Sequence, residues 1–345
     1  MNRKKTGIAL IVLIILMMGL WSIYTRTAPV KRDSGYRILM GTFSHIVVVA
    51  QDNVTAKNCI EAAFDEQHKV DRLMSDYKPD SELSNLNRQA DRNPVKVSPE
   101  TFEVLEEAQR ISDLSSGAFD VTVGPLVELW RHAADINTPP SEAEITEAKA
   151  KVGRQNLVLD PTHQTVFFKK AGMKLDLGGI AKGYAIDLSI AALKQNGALG
   201  GMVDIGGDIR CFGKPPQRRK TWHIGLQDPG KADRPNINQS RLELNITDQA
   251  VATSGNYRRF SLIDGQKINH IIEPHQGYSS MALASVTIIA DTAITADALA
   301  TAVSVMGHDK GLALIETLPG IEAIVIDNDN ISLTQTSGAD AFIAR

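Results

Sequence analysis

Two side chains in the stretch AITADALATAV, Ala293 to Val303, are spaced for chemistry. Asp297 and Thr301 stand four positions apart, so on a helix they project from one face. The residues around them are small or apolar and favour burial. A buried carboxylate needs a cation or several hydrogen-bond donors. A carboxylate, a hydroxyl and a carbonyl from a glycine loop would form an all-oxygen set. That set suits hard Mg²⁺, which keeps positions open for water and phosphate oxygens. The same aspartate also reads as a side chain tied to the amides of a neighbouring loop, and on this segment by itself both readings stand.

A second segment, LDLGGIAKGYAID, supplies such a loop. Asp176 precedes Gly178-Gly179, and Lys182 heads the helix that follows. Glycines allow close backbone approach, amides at a helix start attract anions, and a lysine there could neutralise a phosphate. The GxxxxGK[ST] and GxGxxG spacings are absent, so this is neither a P-loop nor a dinucleotide fingerprint. The plainer alternative is a turn followed by a solvated lysine. INHIIEPHQG sets His270 among apolar residues, as a core histidine or as an acid or base near neutral pH. In GAFDVTVGPLVELW, Asp120 is either a ligand contact or an Asx turn or cap. VDIGGDIRCFG reads as a strand ending in a tight Gly206-Gly207 corner.

These segments need a frame to hold them. HIVVVA, His45 to Ala50, predicts a strand by its β-branched run. Apolar spacing predicts a helix over about 55–73, with Ile60, Phe64 and Val70 on one side. MSDYKPDSELSNLN, which carries Tyr77, reads as loop. Ser98 with Pro99 predicts a helix start, and Ser141 with Glu144 forms a capping box for a helix closed by Gly153. LVLD with TVFF predicts a hairpin, and IEAIVID with ISLTQT a second strand pair. The Pro-, Lys- and Asn-rich stretch 214–241 reads as a loop or insertion.

The bulk composition narrows the function. A chain of 345 residues with 43% apolar content can bury a sizeable core. A net charge of −3 and 5% aromatics argue against a nucleic-acid partner. From Thr6 to Thr25 there are 20 residues without charge, long enough to span a bilayer. Arg3, Lys4 and Lys5 orient that segment with its N-terminus in the cytoplasm, and Trp21 and Tyr24 fit an interfacial belt. The segment is therefore read as an uncleaved anchor or a cleavable signal, with the body exported. The expected division is 1–25 anchor or signal, 26–35 linker and 36–345 a single α/β (α+β) body of mixed sheets flanked by helices. Cys59 and Cys211 form no metal or redox spacing; an exported body would permit a disulfide between them, and they otherwise read as buried thiols.

Eight motifs occur in order: MGTF, MSxYxxDSELSxLN, GAFDxTVGPLVxLW, DLGGIAKGYAxD, GGDIRxxG, TSGxYxRF, HIIxPxxG and SVTxxAxxAxxADALATAxxxxG. In this the chain resembles the ApbE family of FAD:protein FMN transferases, over about residues 38–306. The resemblance implies FAD contacts at Met40, Tyr77, Ala118, Phe119, Asp120, Asp176 and Lys182, with Ile272 against the flavin nucleotide. It implies Mg²⁺ at Asp297, Thr301 and the Gly179 carbonyl, and proton handling by His270 with Asp297 in the catalytic centre. The chain departs from the pattern at Glu273, Gln276 and Arg131, where relatives often have Asp, Thr and Gly. It has no cysteine before Cys59 to serve as a lipidation site, so any anchor must be the N-terminal helix.

The implied reaction transfers FMN from FAD to a Ser or Thr hydroxyl and releases AMP. The implied acceptor carries a Ser/Thr-Gly-Ala-Ser/Thr-like site on an exported redox subunit of a membrane complex. Hydrolysis of FAD to FMN and AMP is the nearest alternative, since only water replaces the hydroxyl, and a non-catalytic FAD store is a second.

Overall fold

The computed structural model describes residues 14–18, 29–216, 219–231, 240–256, 260–329 and 332–344. Residues 14–18 are helical, and the rest of the expected anchor lies outside the described residues. Among the described residues no helix is long and apolar enough to cross a membrane.

The chain opens with a hairpin of β1 (Val30–Leu39) and β2 (Thr42–Ala50). β1 takes in residues 30–35, which read as linker in the sequence. Its side chains are mostly exposed, so no hydrophobic alternation marks it. A small sheet follows, from β3 (Val95–Lys96), β4 (Leu157–Asp160) and β5 (Thr165–Phe168), and its β4–β5 hairpin is the one expected. β6 (Gly200–Ile205) and β7 (Asp208–Gly213) flank the Gly206-Gly207 turn. β8 (Trp222–Gln227) pairs with β9 (Ser240–Ile246). β10 (Ala250–Gly255), the hairpin β11 (Phe260–Ile263) with β12 (Gln266–Asn269), β13 (Ser285–Ala290), β14 (Glu322–Ile326) and β15 (Leu333–Gln335) complete the strands. Eight of them form one sheet in the order β1-β2-β6-β7-β10-β13-β14-β15. Every neighbouring pair in it is antiparallel.

Both faces of this sheet are covered, which explains the unbroken Ile46–Ala50 run. Ile46 and Val48 face the main core beneath helices Asn53–Met74, Ala181–Gln195 and Ala293–Met306. Val47 faces the opposite side, with Trp222, Ile224 and Leu226 of β8. The stretch 214–241 is thus not a plain insertion. Its alternating apolar residues build the second layer, but they are too few, between charged flanks, to stand out in sequence. The expected loop at Ser81–Asn87 is likewise mostly helix, Glu82–Gln89, capped by the Ser81 side chain and buried through Leu83 and Leu86. Only that pair is apolar among Ser and Asn residues, which hid the period. Ser98 and the Ser141–Glu144 box cap their helices as expected. The second of these helices stops at Lys149, ahead of Gly153. Both cysteines are buried and unpaired.

One contact sets the position of the chemistry. A Cβ on Gly183 would lie 2.2 Å from the Ala293 carbonyl oxygen and 2.7 Å from the Ile294 Cα. Only glycine lets the starts of helices Ala181–Gln195 and Ala293–Met306 touch. Asp187, one turn on, accepts the Ala293 and Ile294 amides at 2.9 Å each and caps the partner helix from outside. Gly183→Ala is expected to cost about 1–3 kcal/mol of stability through overpacking. Urea denaturation that matches wild type would show that the helices can part without cost.

Candidate functional site

A cleft of about 660 Å³ opens at the end of the sheet where the β1–β2 and β6–β7 turns and the end of β10 meet these two helix starts. Tyr77, Ala118, Phe119, Asp120, Asp176, Gly179, Lys182, His270, Ile272, Asp297 and Thr301 all line it. Met40 does not. It sits in the β1–β2 turn with φ of 51° and packs against the core, and the cleft wall there comes from Thr42 and Phe43.

The centre is an ion triad. Lys182 Nζ lies 2.7 Å from Asp208 Oδ2 and 3.0 Å from Asp297 Oδ1. Asp297 Oδ2 also accepts the Gly183 amide at 3.0 Å, and Asp208 Oδ1 accepts the Thr253 amide at 3.0 Å. Both carboxylates are buried. Burial pushes the Asp297 carboxyl above its usual range, Lys182 opposes this, and Asp208 adds to it. Burial disfavours the Lys182 ammonium, but Asp208 and Asp297 outweigh it and hold the charge. Lys182, read in the sequence as a phosphate ligand, therefore first neutralises two carboxylates. Asp208 is not among the residues the sequence singles out: it follows the Gly206-Gly207 turn in a hairpin that also carries Asp204 and Arg210, so its charge does not set it apart.

Around the triad, Thr301 follows Asp297 on the same helix face. A Cβ on Gly179 would lie 3.0 Å from Thr301 Oγ1, so the glycine loop rests against that hydroxyl. Asp120 is an Asx turn: its Oδ1 accepts the Thr122 amide at 2.8 Å and its Oδ2 the Arg154 amide at 3.0 Å. Burial pushes its pKa up against these bonds. Burial and Asp76 likewise raise Asp176, against the Gly178 amide and Arg131. His270 is exposed on the cleft wall rather than buried, which overturns the core-histidine alternative. Ile271 and Ile272 are the buried apolar residues of that segment, and Ile272 packs with Leu126 and Trp130. Glu273 Oε1 accepts the His275 amide at 2.9 Å and closes the turn beyond.

Among the described residues that line the cleft, carboxylates outnumber permanent cations: Asp76, Asp120, Asp176, Asp208 and Asp297 stand against Lys182 and Arg131. A polyphosphate would be repelled unless a cation entered with it. Among the described residues no three His, Cys, Asp or Glu side chains converge as a metal cage. A cation here would thus rely on hydroxyl, carbonyl or water oxygens as well, a donor set that fits a hard divalent ion.

Fold and cleft together place the protein in a solved structural class, the ApbE flavin transferases. The ApbE protein of Thermotoga maritima matches 92% of this chain and 100% of its own, with a TM-score of 0.80 and 30% identity. The flavin transferase ApbE of Vibrio cholerae matches 91% and 100%, with a TM-score of 0.78 and 30% identity. The FAD:protein FMN transferase of Haemophilus influenzae is 34% identical over 87% of this chain and 88% of its own. The ApbE family model matches residues 40–325, and the chain belongs to that family.

Removing the lysine tests the triad. Lys182→Met leaves two buried carboxylates without their cation and is expected to cost about 3–5 kcal/mol at pH 8. Burial already raises the Asp297 carboxyl against Lys182, so without the lysine the loss appears as pH rises through its folded pKa and fades on acidification. Urea denaturation at pH 8 and pH 5 checks this, and an equal loss at both would exclude the electrostatic account.

Proposed function

We propose that the protein transfers the FMN half of FAD to a Ser or Thr hydroxyl of an acceptor protein, with Mg²⁺ and with release of AMP. The observation that carries this reading is the Lys182–Asp208–Asp297 triad beside Thr301, the Gly178-Gly179 loop and His270 in one cleft. Membership of the ApbE family and the names of its relatives support it.

In the proposed reaction the acceptor hydroxyl oxygen bonds to the FMN-side phosphorus. The pyrophosphate bond breaks, AMP departs with the bridging oxygen, and FMN remains as a phosphoester. His270 takes the hydroxyl proton; among the described residues that line the cleft it is the only imidazole. The Gly178-Gly179 turn, whose Gly178 amide is held by Asp176 Oδ1, lets the phosphates approach the backbone closely and lie in line. Asp297, Thr301 and the Gly179 carbonyl would hold Mg²⁺, which would supply charge neutralisation at the pyrophosphate oxygens. Lys182 keeps Asp297 ionised for that role. Tyr77, Ala118, Phe119, Asp120, Asp176 and Ile272 shape the walls against the dinucleotide, and Met40 acts through the turn that carries Thr42.

The acceptor is read as an exported redox subunit with a Ser/Thr-Gly-Ala-Ser/Thr-like site. The segment 6–25 is read as the tether that holds the body on the outer side of the inner membrane. The uncharged length and the preceding Arg3, Lys4 and Lys5 support that reading.

Full-length protein incubated with FAD, Mg²⁺ and acceptor is expected to add the mass of FMN to the acceptor. Free FMN without that gain would convert the reading to hydrolysis, and unchanged FAD would convert it to storage. A chelator is expected to abolish transfer and added Mg²⁺ to restore it. His270→Ala is expected to lower kcat by about 10²–10⁴-fold. Asp297→Ala with normal transfer at saturating Mg²⁺ would remove the metal assignment.

A further inference from the structure

Among the described residues that line the cleft, Arg131 is the permanent cation outside the triad. Its guanidinium carbon lies 4.4 Å from the centroid of the Tyr77 ring. Its Nη2 sits 2.8 Å from Asp76 Oδ2 and 3.8 Å from Asp176 Oδ2. Two carboxylates from separate segments thus hold the guanidinium against one face of the ring. Tyr77 is otherwise 74% exposed at the cleft wall. An exposed tyrosine samples several rotamers, and a cation on one face selects one of them. The free face is then available to a flat partner. FAD carries a planar ring at each end.

We infer that Arg131 is a positioning residue: pinned by Asp76 and Asp176, it fixes Tyr77 as a stacking wall for one aromatic ring of the dinucleotide. This rests on the flavin-transfer reading and adds the element that orders the ring. Arg131 acts through Tyr77, so its loss weakens FAD capture and leaves phosphoryl chemistry at the triad in place.

The test is a double-mutant cycle on the full-length protein, read by FAD titration and by steady-state kinetics with acceptor in excess. Arg131→Ala and Tyr77→Ala are each expected to raise KM for FAD by about three- to thirtyfold, with kcat held within about twofold. The double variant is expected to be no worse than Tyr77→Ala, because the arginine has no ring left to hold. Arg131→Lys restores the charge without the planar fork and is expected to recover only part of the affinity. Competition with FMN and with AMP identifies the stacked ring as the one whose affinity falls in both single variants. Additive losses, full recovery by Arg131→Lys, or an unchanged KM in Arg131→Ala would overturn the role. A wild-type chain that binds no FAD would sink the transfer reading with it, whereas FAD binding with additive losses sinks the Arg131 role only.

Discussion

The site depends on a backbone contact between two helix starts. Gly183 rests against the Ala293 carbonyl, where a methyl group would collide. The contact carries Lys182 to Asp297 across a sequence separation of 115 residues. Asp187 locks the same junction by capping the second helix, and Arg210 Nη1 pairs with that aspartate at 2.5 Å. Burial raises the Asp187 carboxyl, while Arg210 and the two capped amides oppose the rise. The polar triad can stay buried because the helices around it are joined by backbone contact and a cap, with little room to relax.

Electrostatics then set what the cleft can accept. Among its described residues the wall carries more carboxylate than permanent cation, which disfavours a naked polyphosphate and favours one that arrives with a hard cation. Lys182 is committed to Asp208 and Asp297, so it stabilises the acidic centre before it meets any ligand. The low-dielectric surroundings strengthen each of these interactions. The same surroundings make an unpaired member costly, so the three groups act as a unit.

Local periods and caps were readable in the chain. The Ser98 and Ser141 caps, the β4–β5 hairpin and the β14–β15 pair follow from short-range rules that need no partner. The Glu82–Gln89 helix and β8 were not readable, because each buries only two or three apolar residues and its partners lie far along the sequence. β1 was hidden for the opposite reason: its side chains are largely exposed, and its main-chain pairing with β2 holds it.

Ordered motifs along the chain were enough to identify the family, and helix geometry alone sets Asp297 and Thr301 on one face. The chain also carried Lys182, His270 and the glycine loop as separate candidates. How they meet follows from packing between segments far apart in the chain. That packing placed Asp208 in the centre, tied Asp120 to its own turn, turned His270 out to the cleft and kept Met40 from its wall. Those outcomes rest on sheet order and on one helix–helix approach, and contacts between distant residues leave no period or spacing in a single chain.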